Sequence, residues 1–265
     1  MNSQPLRVYI ITEEDPFYLP EFFREFLAQL PRDRVDVLSI DITPPLNQSS
    51  RRALARKLYA FYGGRDFVRL LGRYATAHAL DLAAPRGLWR GTIDRLAGWY
   101  GIPCRVVRNV NAPEYVEHVR RFAPDLLVSV AASQIFKKDL LSVPRLDAVN
   151  VHTGPLPKYR GMMPVFWQMY DRRKQIAVTL HTMTVDIDLG KVLLRREVAL
   201  NGNCNLDEVI RTMKREGAQA LVELLEQYEK GTVQAVAMDQ APDQYHSFPG
   251  RAEAERFRRM GYRLV

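Results

Sequence analysis

Short, apolar, β-branched segments alternate along this chain with longer segments whose apolar residues recur at helical spacing. The first strand candidate is LRVYIIT, the next helix candidate is FYLPEFFREFLAQL with Pro20 in its first turn, and the second strand candidate is VDVLSIDIT. Strand–helix–strand alternation is typical of a parallel sheet covered by helices. The pattern therefore predicts an α/β fold built on an open, mostly parallel, Rossmann-like sheet.

The alternation is interrupted between about 50 and 100 and then resumes. Three helix candidates follow one another there, the first two separated by Gly63 and Gly64. Beyond them, PCRVV, PDLLVSVA and LDAVNVHTG indicate strands, QIAVTLHTM and KVLLRREVAL indicate an antiparallel hairpin, and a long amphipathic helix runs to Gly231. TVQAVAM is a candidate final strand. We predict one domain over 1–240 with a helical insertion at about 50–100, and a C-terminal tail over 241–265.

Composition excludes several classes of protein. The 265 residues are 47% hydrophobic, which is enough for a sizeable core, but no apolar run is long enough to span a bilayer. The start of the chain carries acidic residues where an export signal needs apolar ones. Two cysteines, Cys104 and Cys204, are too few for a disulfide framework or a cysteine-rich zinc site. We therefore expect a reducing, cytoplasmic setting.

Positive charge is concentrated in the helical insertion. The formal net charge is +8, and residues 51–100 hold ten basic and three acidic residues, so this stretch carries most of the excess. Such a surface attracts nucleic acid, anionic lipid or a phosphorylated substrate, although a solvated helix face has the same composition. The charge alone leaves the partner open.

Two common kinds of site lack their motifs. No Gly-x-Gly-x-x-Gly follows the first strand and no P-loop is present, which disfavours dinucleotide and nucleoside triphosphate binding of the usual kind. His-Glu-x-x-His is also missing, and we predict no metal site.

Polar residues cluster where one predicted strand ends. In AVNVHTGPLPKYRGMMP, Asn150 and His152 lie two apart on the strand, so their side chains point to the same side of the sheet. Downstream, HTMTVDIDLGK places Asp186 and Asp188 in the loop of the hairpin. Open α/β sheets bind ligands at the carboxyl ends of their strands. By themselves these residues also fit a hydrogen-bonded structural histidine and turn-forming aspartates.

The motifs NVHTGPLPKYRG, AVTLH and IDLG, in this order, resemble the family of folate-dependent formyltransferases. That family shows Asn-x-His, a Ser-Leu-Leu-Pro-type turn and Arg-Gly, then a strand ending in His and a Leu-Asp-x-Gly loop. The resemblance implies that Asn150, His152 and Asp188 are catalytic. The chain departs from the pattern at Gly154 and Pro155, and at Leu189 between Asp188 and Gly190.

The resemblance also implies 10-formyl-tetrahydrofolate as co-substrate, without a metal. Its pterin is expected against the loop after DLLVSV and against the hairpin loop. The positions implied are Ala132, Ser133, Gln134, Ile135, Val185 and Asp186. His181, on the AVTLH strand, is either a supporting residue of the site or a structural histidine.

The residue types suit transfer of a formyl group to a primary amine. The reaction passes through a tetrahedral intermediate, to whose oxygen Asn150 and a protonated His152 can each donate a hydrogen bond. Asp188 would favour the imidazolium and assist proton transfer from the attacking amine. No covalent enzyme intermediate is needed.

The acceptor follows only by elimination. Too few residues follow Val233 for the C-terminal barrel typical of methionyl-tRNA formyltransferases, and glycinamide ribonucleotide transformylases usually lack the 50–100 insertion. A nucleotide-linked amino sugar, hence a phosphate-containing small molecule, is expected; methionyl-tRNA or another small amine is the alternative, and a homodimer is left open. A rival hypothesis of another class is a non-catalytic protein that docks on a membrane or RNA through the basic helices at 50–100. The intact Asn150–His152–Asp188 set disfavours it.

Overall fold

A central sheet with helices on both faces organises the chain. The computed structural model describes residues 4–45, 51–83, 92–200, 205–239 and 245–265. The strands are β1 (Leu6–Glu13), β2 (Val35–Thr43), β3 (Cys104–Val106), β4 (Leu126–Val130), β5 (Asp147–His152), β6 (Arg160–Gly161), β7 (Gln175–Thr182), β8 (Val192–Ala199) and β9 (Tyr245–His246). The helices are α1 (Leu19–Gln29), α2 (Arg51–Ala83), α3 (Ile93–Trp99), α4 (Pro113–Arg121), α5 (Lys138–Leu141), α6 (Pro164–Tyr170), α7 (Leu206–Lys230) and α8 (Arg251–Arg259).

Seven strands form the main sheet in the order β3-β2-β1-β4-β5-β7-β8. The first five pair in parallel, whereas β7 pairs antiparallel with β5 and β8 antiparallel with β7. Strands β6 and β9 form a separate two-stranded sheet. The predicted open, mostly parallel sheet with an antiparallel hairpin at its end is therefore confirmed, and the small β6–β9 sheet is an addition.

Strand alternation divides the core between the two faces of the sheet. On β1, Val8 and Ile10 pack with α1 and α7 residues, whereas Tyr9 and Ile11 pack in a second cluster that includes α4 residues. All four side chains are fully buried, which explains why the strand is almost continuously apolar.

The ends of the long helices follow from local sequence signals. The Asp15 carboxylate accepts hydrogen bonds from the backbone N–H groups of Phe17 and Tyr18 at the start of α1. Asn205 caps α7, and Gly231 ends it in the left-handed conformation (φ 65°), as predicted. In the described part of the chain, no helix is both long and apolar enough to cross a membrane.

The helical insertion is attached to the main core. Gly63, at φ 69° and ψ 171°, breaks α2 into two helical parts, at the position where two helices were predicted. Phe61, fully buried next to this kink, packs edge-on against Phe166 and Phe248 with ring centroids 5.4 Å away in each case. Of the third predicted helix, GLWRGTIDRLAGWYG, residues 87–91 lie outside the described residues, and α3 accounts for most of the rest.

The C-terminal segment also belongs to the packed domain. In α8, Ala254 and Phe257 are fully buried, and the Phe257 ring lies 4.8 Å from that of Phe166. The C-terminal tail predicted over 241–265 is thus packed on the domain over 245–265, where two apolar residues anchor an otherwise polar helix. Of the predicted strand TVQAVAM, Val236 forms a single antiparallel bridge with Val192.

Candidate active site

The carboxyl end of β5 places Asn150 and His152 on the same side of the sheet. Asn150 pairs in register with His181 on β7, and His152 pairs with Thr179. Since β7 runs antiparallel to β5, it brings His181 beside Asn150 and leads the chain into the loop that carries Asp188. We call Asn150, His152, His181 and Asp188 the reaction centre.

Asp188 lies against the other three side chains of the reaction centre. Its Oδ2 is 3.7 Å from His152 Nδ1, and its Oδ1 is 3.5 Å from both His181 Nε2 and Asn150 Nδ2. The Gly161 N–H donates a 2.8 Å hydrogen bond to Oδ2. The structure thus brings together Asn150, His152 and Asp188, although Asp188 follows Asn150 by 38 residues in the sequence.

A close backbone approach shapes the loop that holds Asp188. Asp188 itself has a left-handed backbone (φ 56°). A Cβ at Gly190 would lie 1.6 Å from the Thr182 carbonyl oxygen, so only glycine fits where the loop returns to β8. The larger Leu189, where the family has a small residue, points outward and is 39% exposed.

His152 is held between two oxygen acceptors. Its Nε2 lies 2.8 Å from the Tyr159 carbonyl, so Nε2–H donates there, and Nδ1 faces the Asp188 carboxylate. Burial lowers the pKa of His152, and the charge of Asp188 only partly opposes this shift. The imidazole is therefore neutral at rest near neutral pH, with an unprotonated Nδ1 towards Asp188.

Asp188 remains ionised although it is 8% exposed. Burial by itself would raise its pKa, but the charge that His152 gains on protonation and polar contacts, including the Gly161 N–H, outweigh it. The net result is a pKa well below the usual range of a carboxyl group. A proton arriving at His152 Nδ1 would consequently meet a carboxylate that stabilises the imidazolium.

His181 orients the amide of Asn150. Its Nδ1 lies 2.9 Å from the Thr182 carbonyl, which assigns the ring proton to Nδ1. The unprotonated Nε2 then accepts a 3.1 Å hydrogen bond from Asn150 Nδ2. His181 is 2% exposed. Of the two interpretations left open by the sequence, the contacts favour a supporting residue of the reaction centre.

Residues 159–161 hold both His152 and Asp188, a role that sequence reasoning missed. Tyr159 supplies the carbonyl that binds His152, and Gly161 supplies the N–H that binds Asp188. Between them, the Arg160 guanidinium donates two hydrogen bonds, at 3.0 and 2.8 Å, to the carbonyl of Ile187. The segment therefore fixes the distance between the imidazole and the carboxylate.

The C-terminal strand β9 in turn holds this segment. Met162 N–H donates a 2.8 Å hydrogen bond to the His246 carbonyl, next to the β6–β9 pairing. The His246 ring stacks on Tyr159 at 5.6 Å and on Trp167 at 4.8 Å. A two-residue strand has no periodicity to detect, so no signal in the sequence could have revealed this pairing.

The turn after β5 passes directly against the catalytic candidate His152. A Cβ at Gly154 would lie 2.8 Å from His152 Nε2, so the glycine that departs from the family pattern makes room for the ring. Thr179 Oγ1 donates a 2.7 Å hydrogen bond to the Gly154 carbonyl, and the Arg195 guanidinium donates to that of Leu156. The turn is thereby fixed from β7 and β8.

Two of the positions expected at the pterin have their side chains engaged elsewhere. Ser133 Oγ donates to the Pro44 carbonyl at 2.7 Å. Gln134 accepts from Val110 N–H at 3.1 Å and donates to the Arg108 carbonyl at 2.9 Å. These bonds fix the loop after β4, so any ligand contact here falls to backbone groups and to neighbouring side chains.

Exposed apolar side chains lie on the loops after β4 and β7. Ile135 is 58% exposed and Val185 60% exposed. Asp186 is exposed, and its carbonyl accepts a 2.9 Å hydrogen bond from Thr184 Oγ1, while Ala132 packs partly into the core. Exposed apolar residues with adjacent backbone donors and acceptors suit a flat heteroaromatic ring such as a pterin.

Three acidic residues, which we call the acidic edge, lie at the end of β1, at the same edge of the sheet as the end of β5. Glu13, Glu14 and Asp15 follow one another there, and β1 pairs with β4 beside β5. Burial lowers the pKa of Lys214 on α7, and the charges of Asp15 and Glu13 oppose the shift. The charge of Lys214 also contributes to the lowered pKa of His152, so this lysine interacts with both the acidic edge and the reaction centre.

The described residues contain no group of three or more His, Cys, Asp or Glu side chains arranged to hold a metal ion.

Known proteins are similar to this chain in sequence. The sequence pattern of the family described as Formyl transferase matches residues 104–225. A methionyl-tRNA formyltransferase from Ruminiclostridium cellulolyticum is 34% identical over 164 residues, covering 62% of this chain and 51% of that protein. The chain thus spans about half the length of the methionyl-tRNA formyltransferases it matches.

Solved structures show the same fold at low sequence identity. Glycinamide ribonucleotide transformylase 1 from Symbiobacterium toebii superposes with a TM-score of 0.58 at 13% identity, over 90% of this chain and all of that one (100%). An N-formyltransferase from Helicobacter canadensis, solved with folinic acid and dTDP-3-aminofucose, gives a TM-score of 0.55 at 14% identity over 91% and 70%. The matched segment contains Asn150, His152 and Asp188 in the order expected. Residues 104–225 therefore form a domain of the folate-dependent formyltransferase family.

Proposed function

We propose that this protein transfers a formyl group from 10-formyl-tetrahydrofolate to a primary amine at the reaction centre. The observation that carries the proposal is the contact set of Asp188, whose carboxylate lies 3.5–3.7 Å from Asn150, His152 and His181. An amide donor, a neutral imidazole and an ionised carboxylate together meet the needs of acyl transfer to nitrogen.

Asn150 stabilises the oxygen on which negative charge develops. Its Nδ2 group is already oriented by His181 at 3.1 Å, and its bond to Asp188 is long, at 3.5 Å. The amide can therefore turn one N–H towards a substrate oxygen at little cost. A preorganised donor of this kind contributes about 3–4 kcal/mol to stabilisation of the transition state.

His152 and Asp188 move the proton that the attacking amine must lose. The new bond joins the amine nitrogen to the formyl carbon, the bond from that carbon to the folate nitrogen breaks, and one proton must pass from the amine to that nitrogen. His152 Nδ1 is unprotonated at rest and faces Asp188 Oδ2 at 3.7 Å. The pair holds the proton in transit, and Asp188 stabilises the imidazolium while it exists. The positive charge of the His152 imidazolium also stabilises the negative oxygen of the tetrahedral intermediate.

The loops beside the reaction centre suit the folate. Ile135 and Val185 offer exposed apolar surface on the two loops, and the backbone of Asp186 lies next to Val185. The folate supplies the formyl group in an activated form. Ser133 and Gln134 act by holding the loop after β4 in place.

For the acceptor we propose an amino sugar linked to a nucleotide. Tyr245, which is 47% exposed, lies over Gly161 next to Asp188, where a sugar or base ring could pack on it. The acidic edge at Glu13, Glu14 and Asp15 favours approach of an amine. The Helicobacter canadensis protein was solved with such a nucleotide sugar.

Methionyl-tRNA is the second candidate acceptor. It is favoured by the names of the sequence relatives and by the basic residues of α2. Both acceptors fit a cytoplasmic setting, which we propose as the location.

A panel of acceptors tests the function directly. The purified chain is incubated with 10-formyl-tetrahydrofolate and, separately, nucleotide-linked amino sugars, glycinamide ribonucleotide and methionyl-tRNA, and release of tetrahydrofolate is measured with the N-formyl product. We expect release with an amino sugar nucleotide. Release only with methionyl-tRNA would replace the proposed acceptor but keep the reaction, and no release with any amine would overturn the proposed reaction.

A further inference from the structure

A cavity of about 480 Å³ lies between the kink of α2 and the C-terminal segment after α8. Four of the side chains that line it are arginines, Arg65, Arg69, Arg258 and Arg263, and one is acidic, Asp66. We call this the arginine cavity. Its volume lies within the range of small-molecule binding sites.

The charges of the arginine cavity are unevenly compensated. Asp66 is shared by Arg258 at 3.2 Å and Arg69 at 3.6 Å. Arg65 and Arg263 are exposed and have no carboxylate partner among the residues that the structure describes. The lining side chains thus carry four positive charges against one negative charge, and two of the positive groups are available to a ligand.

The cavity is built by segments that the fold fixes in place. Arg258 donates a hydrogen bond to the Tyr62 carbonyl at the end of the first part of α2, which ties α8 to the kink. Leu264 is 1% exposed, and the Arg263 carbonyl accepts a 2.9 Å hydrogen bond from Leu206 at the start of α7. Arg65 and Arg263 therefore come from two anchored elements and not from a single mobile loop.

We propose that the arginine cavity binds a small molecule that carries a diphosphate group. The guanidinium group presents a planar fork of donors that matches phosphoryl oxygens and keeps its charge at all physiological pH values. Two such forks from different elements suit two linked phosphoryl groups better than a single carboxylate.

This site differs from the reaction centre. None of its lining residues is among the contacts of Asn150, His152 or Asp188. The proposal therefore goes beyond formyl transfer and can hold or fail without it. A nucleic-acid backbone is the other source of phosphate, but it would engage the basic face of α2 more widely, including Arg52 and Arg56 outside the cavity.

Calorimetric titration of the full chain with inorganic pyrophosphate at low salt tests the proposal. We expect one site per chain, and an affinity about tenfold or more lower when Arg65→Ala and Arg263→Ala are combined, because two charge-assisted contacts are lost. Arg56→Ala, an exposed arginine on the same helix outside the cavity, is the matched control and should bind as wild type. Asp188→Asn should also bind as wild type.

Other outcomes overturn the proposal. If a chain that melts normally does not bind pyrophosphate, the proposal is wrong. It is also wrong if Arg56→Ala loses as much affinity as the paired variant, because an equal loss indicates diffuse attraction to the helix. A parallel titration with tRNA tests the other source of phosphate. If tRNA binding depends on Arg56, Arg65 and Arg263 alike and pyrophosphate binding does not saturate, the basic residues bind nucleic acid instead. Arg65→Lys keeps the charge but removes the fork, so forked recognition predicts weaker pyrophosphate binding than in wild type, and wild-type affinity would argue against it.

Discussion

The reaction centre and the arginine cavity are both charged regions, but they differ in how their charges are paired. In the reaction centre, Asp188 is 8% exposed, His152 6% exposed, and every charged or polar group has a partner within 3.7 Å. In the arginine cavity, Arg65 and Arg263 face solvent without a carboxylate among the described residues. Buried and mutually satisfied groups fix geometry, as bond-making requires, whereas open and unpaired cations attract an anion. Substitutions should therefore act on rate in the first region and on affinity in the second.

The largest effect is expected for Asp188→Asn. Removing the carboxylate charge takes away the group that stabilises the imidazolium of His152, so transfer should fall by about 10²–10⁴-fold. Asp36→Asn, an exposed aspartate on β2 away from the reaction centre, is the control and should stay within a few-fold of wild type. Steady-state tetrahydrofolate release measures both. Equal rates for the two variants would remove Asp188 from the mechanism.

A second substitution tests the rigidity of the reaction centre. Gly190→Ala would place a Cβ 1.6 Å from the Thr182 carbonyl, so the loop that carries Asp188 must move. We expect lower transfer and a loss of about 2–3 kcal/mol in the free energy of unfolding. Gly98→Ala, with no atom within 4 Å of the added carbon, is the control in thermal melts and assays. Unchanged melting and rate in Gly190→Ala would contradict the close approach.

A smaller effect is expected for His246→Ala. The imidazole stacks between Tyr159 and Trp167, so its loss should loosen the segment that positions His152 and Asp188. A small misplacement of reacting groups can lower kcat by up to about 100-fold, and we expect roughly tenfold here. His118→Ala, which removes an edge-on contact with Phe122 on α4, is the control. A rise in the KM for folate with unchanged kcat would argue for a binding role of His246 instead.

The proximity of Asn150, His152 and Asp188 could be predicted from the sequence, because the first two lie on one strand and the motifs that resemble the formyltransferase family link Asp188 to them. Asn150 and His152 share a face of β5 by the two-residue period, and the hairpin predicted around Gly190 brings Asp188 back to them. The supports of the reaction centre were not predictable in this way. The contact of His152 with Tyr159, and of Met162 with His246, depend on turns and a two-residue strand that carry no repeating pattern.

The arginine cavity, by contrast, could not be predicted from the sequence. The excess of basic residues in 51–100 was visible, but whether it formed a binding site or a solvated face was not. The cavity forms because Arg258 and Arg263, nearly 200 residues away from Asp66 in sequence, lie next to the kink at Gly63. The segment that brings these two arginines there was predicted as a tail. Three fully buried apolar residues, Ala254, Phe257 and Leu264, attach that segment, too few to reveal burial from composition.

The smallest expected effect is a shift in the titration of His152. Burial lowers its pKa and Asp188 raises it, so in wild type the ring should titrate below the unperturbed value of about 6.5, and lower still in Asp188→Asn. Since the neutral imidazole is the resting form, His152 binds its second ring proton only as pH falls through this lowered pKa. Histidine NMR titration measures the shift, with His152→Gln to assign the signal. A value above 6.5, or an upward shift in Asp188→Asn, would contradict the buried, carboxylate-paired setting.

A double-mutant cycle on His152 and Asp188 tests the central claim most directly. Single-turnover transfer from 10-formyl-tetrahydrofolate to the best amine acceptor is measured for wild type, His152→Ala, Asp188→Asn and the double variant, with melting curves for each. Because the two side chains carry one proton together, the double variant should lose no more rate than the worse single variant. Losses that multiply in the double variant, or single variants that transfer as wild type, would show that His152 and Asp188 do not act as one unit in formyl transfer.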